Sequence, residues 1–193
     1  TRIQILSKVV TAGTDQIPGC FYIEVADRSS GIRVMSTDPI REGNVVDVTG
    51  TLALVDGERR IVATSVKIVA HSATVPKPVG TGLAHLGGTA LNADTPGVKD
   101  GRGPNNIGLL VEAWGRVSAI GTGCFYIKDG SMSSRPKPLP PTPAEVKVVL
   151  PAGVAAPALN SYVGVVGISS CEPSGLDSVR RVLIRKASDI TVK

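Results

Sequence analysis

Few residues in this chain have the type and spacing that catalysis or metal binding requires. The two histidines, His71 and His85, are fourteen residues apart with no acidic cluster beside them, which is not the spacing of metal ligands on one element. The three cysteines, Cys20, Cys124 and Cys171, include no CxxC pair. Nucleophile-elbow, phosphate-loop, zinc-protease and dinucleotide motifs are also absent from the sequence. The sequence therefore predicts a non-enzymatic protein with no metal and no cofactor.

The remaining candidates for chemistry have simpler structural explanations. Asp56-Gly57 and Asp129-Gly130 could supply acidic groups, but Asp-Gly between two strands favours a hairpin turn because glycine accepts a positive φ. The cysteines are interpreted as buried thiols, because free cysteine is among the residue types most often buried. A disulfide, including one between chains, stays open as the alternative.

Aromatic and basic residues are better candidates, for binding rather than for catalysis. Single-stranded nucleic acid binds to a basic groove that carries aromatic stacking platforms. Alternation along the stretch GCFYI places Phe21 and Ile23 on one face of a strand and Tyr22 on the other. Tyr22 and Tyr126, and with them Trp114, are the predicted exposed platforms. The predicted ligand-binding residues are Tyr22, Arg33, Arg59, Arg60, Tyr126, Lys128, Lys147, Arg180 and Arg181, followed by Arg185 and Lys186.

The distribution of charge indicates a modest affinity for polyanions at most. The chain has 21 basic and 16 acidic residues, a net charge of +5, and residues 109–193 hold 10 of the basic and 6 of the acidic residues. A polyanion would therefore favour the C-terminal part of the chain. The excess is too small for a dedicated nucleic-acid arm, and arginines on a strand also occur as an ordinary solvated face.

An internal repeat indicates which elements must position these residues. GCFYI occurs at 19–23 and again at 123–127, although the whole chain has six aromatic residues. Four further blocks match in the same order, so the chain holds two copies of one unit. Each block is short, rich in Val, Ile and Thr, and bounded by turn residues, which predicts a β-strand. The matched blocks are 7–12 with 115–120, 31–36 with 145–150, 45–52 with 162–169, and 58–69 with 179–192.

Five short antiparallel strands in each copy predict a small closed barrel, with 156–161 as a short helix candidate in the second copy. The blocks VVTAG, GCFYIEVADRSSGIRV, VVDVTGTL and ERRI, and WGRVSAIGTGCFYIKDGS in the second copy, resemble the OB-fold. They resemble in particular its tRNA-anticodon-binding-like branch and related modules of bacterial secreted or surface proteins. The resemblance implies an all-β fold with two OB-like five-stranded barrels in tandem. It also implies binding of an oligonucleotide, an oligosaccharide or another protein.

The repeat divides the chain into two barrels and a connector. Barrel 1 is expected at 1–70 and barrel 2 at 109–193, joined by a long irregular connector at 71–108 that is rich in glycine and proline. A connector of this length is either disordered or functional. We interpret it as ordered and held by apolar anchors, which are Val79, Leu83, Leu86 and Leu91.

A proline-rich insertion interrupts the second copy at 131–145. The first copy has only a tight turn at the matching place. Such a composition favours an extended, polyproline-like arm. The arm is either a partner-binding element or an exposed rigid loop.

The fourth strand differs between the two copies in a way that favours assembly. In the first copy, the face that carries Asp47 and Thr49 is mostly polar. The matching positions of the second copy are Tyr162, Gly164, Val166 and Ile168. A strand that is apolar on both faces is covered on both faces. The cover could be the connector, the other barrel or another subunit.

Together these features favour a non-enzymatic extracellular structural protein that self-associates as a fibre or surface-layer subunit. Low aromatic content, at 3%, fits a secreted subunit, and the start at Thr1 is interpreted as a mature N-terminus at an extracellular or cell-surface location. The expected partners are copies of the chain itself, and no apolar run approaches the roughly 18 residues of a membrane span. The alternative is an OB-type module that binds single-stranded nucleic acid or a polysaccharide. The predicted assembly residues are Val79, Leu83, Leu86, Pro138, Leu139, Tyr162, Val166 and Ile168.

Overall fold

The protein is described by a computed structural model that covers residues 1–131 and 145–193. It is an all-β structure with two sheets, which confirms the predicted fold class at that level. The first sheet, here called the N-terminal unit, pairs its strands in the closed order β1-β2-β3-β5-β4. Its strands are β1 (Arg2–Ala12), β2 (Cys20–Glu24), β3 (Gly31–Met35), β4 (Val45–Val55) and β5 (Glu58–Ala70).

The second sheet, here called the C-terminal unit, has seven strands in the order β12-β10-β11-β9-β8-β7-β6. An additional pairing between β10 and β7 joins its two sides. One-turn 3₁₀ helices lie at Leu83–His85 and Ala187–Asp189. The strands are β6 (Val79–Gly80), β7 (Leu110–Gly121), β8 (Cys124–Lys128), β9 (Val146–Val149), β10 (Tyr162–Ser174), β11 (Asp177–Ile184) and β12 (Ile190–Val192).

The same pairing pattern occurs in both units, as the repeat predicts. The third and fifth strands of each copy run parallel, with Arg33 opposite Arg60 in the first and Lys147 opposite Arg181 in the second. The expectation of antiparallel strands is wrong for this pair, because a ring of five strands cannot pair every neighbour antiparallel. All other pairings within the two five-strand sets are antiparallel. The predicted matches for the third, fourth and fifth strands therefore agree with the register of the structure.

The predicted match of 7–12 with 115–120 is wrong by one residue. Val10 pairs with Ile23 and Val117 pairs with Ile127, so residues 7–12 correspond to 114–119. The cause is an irregularity in β1 between Ile5 and Lys8, where Ser7 has a φ of 53°. A bulge of this kind adds one residue to a strand, so that the residues after it point to the opposite faces from those that simple alternation predicts.

The interior of each unit contains the residues that the repeat places there. Phe21 is fully buried in the N-terminal core and Phe125 in the C-terminal core. Leu83 and Leu86 of the connector are also fully buried in the C-terminal core. The prediction that these two residues anchor the connector by packing is therefore confirmed. The predicted anchor Leu91 is wrong, because its side chain is 71% exposed.

Two local expectations are corrected by the structure. The stretch 156–161 is not a helix but ends in a turn at 159–160, where Asn160 has a φ of 70°; six residues are too few to offset the cost of helix nucleation without strong packing. The connector is not free of strand, because Val79 and Gly80 form β6 and pair with β7. No helix among the described residues is long and apolar enough to cross a membrane.

A third apolar cluster lies between the two units. It joins Ala12, Cys20 and Tyr22 of the N-terminal unit to the residues Leu110, Ile168 and Leu183 of the C-terminal unit. We call this region the seam. Both faces of β10 are therefore covered around Ile168, one by the interior of its own unit and one by the neighbouring unit. Of the three covers that the sequence leaves open, the other unit is present here, together with Val75 of the connector, which packs against the same cluster.

Candidate functional site

The seam contains a polar network centred on the carboxylate of Glu58, which is 1% exposed. Tyr22 donates its hydroxyl to Oε1 of Glu58 at 2.8 Å, and Arg33 forms an ion pair with Oε2 at 3.0 Å. Ser170, from the other unit, donates to the same Oε2 at 3.0 Å. Arg33 also donates to the Tyr22 hydroxyl at 2.6 Å and stacks over its ring at 5.2 Å. One carboxylate therefore ties both units together.

The network continues across the surface of the C-terminal unit. Arg181 donates to Oγ of Ser170 at 3.3 Å and pairs with Glu172 at 3.5 Å. Lys147 pairs with the same Glu172 at 2.9 Å, and this hydrogen bond raises the pKa of the lysine. Lys147 and Arg181 therefore share Glu172 as their carboxylate partner.

The β4–β5 turn of the N-terminal unit packs directly on the C-terminal unit. Gly57 has a φ of 79°, and a Cβ atom at this position would overlap the Ser178 side chain. Cys171 donates its thiol to the carbonyl of Asp56 at 3.5 Å. The Asp56-Gly57 pair is thus a turn, and glycine is required there both for its backbone conformation and for the close approach.

A second ionic contact closes the seam at Arg185, which is 6% exposed. Its guanidinium binds both carboxylate oxygens of Asp189, at 2.9 and 3.0 Å. The same group donates to the Thr11 carbonyl at 2.8 Å and to Glu42 at 3.0 Å, both in the N-terminal unit. The short 3₁₀ helix after β11 places Asp189 for this contact.

A third contact across the seam involves Glu24, which is 1% exposed at the end of β2. Its Oε2 accepts the backbone N–H of Leu110 at 2.9 Å, whereas Oε1 has no hydrogen-bond partner among the described residues. Burial raises the pKa of Glu24 from 4.5 to about 7, against smaller opposing effects of the Leu110 N–H and of Arg28. Glu24 therefore titrates near neutral pH inside the seam.

We expect Glu24→Gln to remove a pH dependence of stability. Because the folded state favours the protonated form, the stability that Glu24 contributes is complete below pH 4.5 and is lost as the pH rises through 7. Discounted for solvent screening, the loss is about 2 kcal/mol. Urea unfolding of both proteins at pH 5 and pH 8 checks this, since other groups cancel in the difference. A stability difference between variant and wild type that does not change with pH would contradict it.

The predicted ligand-binding residues do not form an open groove. Tyr22 is fully buried, so its prediction as an exposed platform is wrong. Strand alternation correctly predicts that the Tyr22 side chain points away from the N-terminal core. That side of the strand, however, faces the seam rather than solvent. Arg33, Lys147 and Arg181 are paired with carboxylates there.

The remaining members of that set lie apart from one another. Arg180 is buried in the C-terminal unit and donates to the carbonyls of Leu86 and Lys99, at 3.2 and 3.1 Å. Arg60 donates to the Val55 carbonyl at 3.0 Å. Arg59 faces the connector, and Tyr126 and Lys128 are half-buried. The binding role predicted for these residues stays a prediction.

The carboxylates of the seam were not among the residues predicted from sequence. Glu58 directly precedes Arg59 and Arg60 in β5, whereas Glu24 ends the apolar strand β2 with no adjacent basic residue. A carboxylate next to arginines was therefore the available signal for Glu58, and it indicates buried pairing rather than a binding groove. For Glu24 the signal was a single carboxylate on an apolar strand.

The predicted assembly residues are also divided. Ile168 is buried in the seam with Val166 at its edge, while Leu83 and Leu86 lie inside the C-terminal core and Val79 is half-buried in β6. Among the described members of the set, Tyr162 is the exposed one, at 63%. Pro138 and Leu139, with most of the predicted 131–145 arm, lie outside the described residues.

Two aromatic side chains remain exposed on the outer face of β7 and β10. Trp114 is 47% exposed and lies beside Gly164, its cross-strand partner, and Gly80 of β6. Tyr162 lies opposite Arg116, one diagonal step from Trp114 on the same face. The indole lies against these two glycines, which have no side chains to displace it. We call Trp114 and Tyr162 the aromatic strip.

The cysteines are buried free thiols, as interpreted from the sequence. Burial raises the pKa of Cys20, and raises that of Cys171 to about 11 with a further contribution from Glu58. Such thiols are poor nucleophiles at neutral pH. Within residues 1–131 and 145–193, no three His, Cys, Asp or Glu side chains come together as a metal site.

Comparison with known proteins assigns no family. No protein-family model and no curated protein matches the chain. A solved structure described as "Molecular basis for abrogation of activation of pro-inflammatory cytokines" is similar over the whole of this chain and 92% of its own, at 11% identity and a TM-score of 0.38. A similarity at this TM-score supports no inference about function.

Proposed function

We propose that each unit is an OB-like barrel. The support is the closed strand order of the first sheet, its parallel pairing of the third and fifth strands, and the same pairing in the second copy. An OB barrel binds ligands on the face of its second and third strands, between the loops that follow strands one and four. In the N-terminal unit this face carries Cys20, Tyr22 and Arg33.

This face of the N-terminal unit is occupied by the C-terminal unit. Tyr22 and Cys20 pack against Leu110 and Ile168, and the β4–β5 turn packs against Ser178. The first barrel therefore uses its ligand face to bind the second barrel. A two-barrel body held in this way is suited to a structural role, because bound ligand would have to displace a buried ionic network.

The function that we propose is that of a non-enzymatic, extracellular structural protein which self-associates through the aromatic strip. The observation that carries it is the exposure of Trp114 and Tyr162 on a strand face whose other end is buried in the seam. Trp and Tyr are enriched among residues that dominate binding energy in interfaces. A second copy of the chain is the occupant that we propose for this surface.

Replacing both aromatic residues is expected to weaken self-association. We expect Trp114→Ser with Tyr162→Ser to lower the association constant at least about 30-fold, because each residue of this kind contributes about 2 kcal/mol or more when it is a hot spot. Sedimentation velocity over a range of protein concentrations measures this. Both side chains lie at the surface, with Trp114 47% and Tyr162 63% exposed, so the variant should fold.

Leu176→Ser is the matched control, because Leu176 is an exposed apolar residue at the tip of the β10–β11 hairpin, away from the strip. It should leave association unchanged. A wild-type protein that stays monomeric at every concentration, or an equal effect of control and double variant, would refute the proposal.

The alternative function is binding of single-stranded nucleic acid or oligosaccharide by the second barrel. Its support is that Tyr126 and Lys128 remain half-buried on β8 rather than covered by the seam. The nearby Lys147 and Arg181 are paired with Glu172, which reduces the attraction for a polyanion. A labelled oligonucleotide titrated at low salt separates the two functions, since tight, salt-sensitive binding would favour the alternative.

A further inference from the structure

A cleft of about 350 Å³ lies where one end of the N-terminal unit meets the connector. Its floor is apolar, because Ile3, Ile5, Ile32 and Leu52 pack on the edge of the N-terminal core and remain partly accessible. Small-molecule sites have volumes of this order and occur at the mouths of β-barrels. The cleft therefore has the size and lining of a site for a small apolar group.

The opposite wall of the cleft is an ordered part of the connector. Leu91 donates its backbone N–H to the Thr95 carbonyl at 3.0 Å, which closes a tight turn over 91–95. Asn105 donates its side-chain amide to the carbonyls of Thr89 and Pro96, both at 3.1 Å. These hydrogen bonds hold the wall in place. The exposed side chain of Leu91 stands at the rim.

Arg59 is the one charged residue among the described residues that line the cleft. Its Nη1 donates to Oγ1 of Thr95 at 2.9 Å. Within the described part of the chain, no carboxylate lies within 4.0 Å of its guanidinium, unlike Arg33, Arg181 and Arg185. The guanidinium therefore retains hydrogen-bond donors for an anion.

We propose that this cleft binds a small monoanionic carboxylate with an apolar body, such as a medium-chain carboxylic acid. The carboxylate accepts from the Arg59 guanidinium, whose fork matches its two oxygens. The apolar body lies on Ile3, Ile5 and Leu52. One cation cannot neutralise a polyanion, and a neutral ligand leaves the guanidinium without a carboxylate partner. The proposal is independent of self-association, because the strip and the cleft share no residue.

Methyl NMR with octanoate tests the site directly. Octanoate is expected to shift the methyl signals of Ile3, Ile5, Ile32 and Leu52 in a saturable way, while the exposed methyls of Leu176 remain unchanged. Octan-1-ol has the same chain without the charge. We expect it to bind at least about tenfold more weakly, because a hydrogen bond between charged groups is lost. Equal affinities, or saturable shifts elsewhere only, would overturn the proposal.

The variant Arg59→Gln should remove the preference for the anion. It is expected to weaken octanoate binding about tenfold or more and to leave octan-1-ol binding nearly unchanged. Arg41→Gln, which removes an exposed arginine that does not line the cleft, is the matched control and should change neither. If Arg59→Gln does not fold, the wild-type comparison of octanoate with octan-1-ol decides alone. Absence of any octanoate shift at millimolar concentration refutes the site.

Discussion

Glu58→Ala is expected to destabilise the protein by about 3–5 kcal/mol, the cost of breaking a buried ion pair on one side. Glu58 accepts from Tyr22, Arg33 and Ser170. Its removal leaves the Arg33 guanidinium, whose side chain is 11% exposed, without a carboxylate. Urea unfolding followed by circular dichroism measures the free energy of unfolding for variant and wild type.

Two further variants separate this effect from a simple loss of contacts. Glu172→Ala also removes a paired carboxylate, but one that is 24% exposed, so its cost should be below about 1 kcal/mol. The double variant Arg33→Met with Glu58→Met should be less destabilised than Glu58→Ala, because no buried charge is left alone. A loss of less than 1 kcal/mol for Glu58→Ala would contradict this prediction. It would mean that water hydrogen-bonds the Arg33 guanidinium and that the seam is accessible to solvent.

Arg185→Ala is expected to cost about 3–5 kcal/mol for the same physical reason, at the other side of the seam. The guanidinium is bound to Asp189, to the Thr11 carbonyl and to Glu42. Without it, the carboxylate of Asp189, whose side chain is 6% exposed, is left in a buried position. Thermal unfolding should show the change as a lower midpoint, by about 2–4 °C per kcal/mol for a chain of this size.

The geometry of the guanidinium group, rather than its charge alone, should matter at position 185. Arg185→Lys keeps the charge but cannot bind both oxygens of Asp189 and Thr11 at once, so we expect it to recover only part of the lost stability. Lys186→Ala removes a neighbouring cation that is 46% exposed and pairs with the same Glu42. Its cost should be below about 1 kcal/mol. Equal losses for Arg185→Ala and Lys186→Ala would contradict a buried clamp.

Much of the fold could be predicted from local sequence patterns. The recurrence of GCFYI and of four other blocks indicates a duplicated set of strands, and the structure pairs those strands in the same way twice. Phe21 and Phe125 lie in the cores, as predicted. This could be predicted because alternation along a strand depends only on a few consecutive residues. The one-residue error in β1 arose because a bulge is not visible in the alternation of a single strand.

The candidate sites were harder to predict, because alternation does not say what lies beyond the outer face of a strand. Tyr22 and Arg33 face outward from their own unit, and the sequence therefore indicated a binding groove. The structure buries them against residues that are far away in the chain. Ser170, for example, reaches Glu58 across 112 positions.

The sequence by itself determined the strands, the duplication and the two cores, since these depend on periodic contacts between neighbouring residues. Only the tertiary structure decided which outward faces meet water. It covers the outer face of β2 and β3 with the C-terminal unit and leaves Trp114, Tyr162 and Arg59 accessible. It also pairs five of the predicted groove cations with carboxylates, namely Arg33, Lys147, Arg181, Arg185 and Lys186. The physical reason is that docking of two units depends on complementary shape and charge between segments that are distant in the chain. The periodicity of neighbouring residues along one strand carries no information about that complementarity.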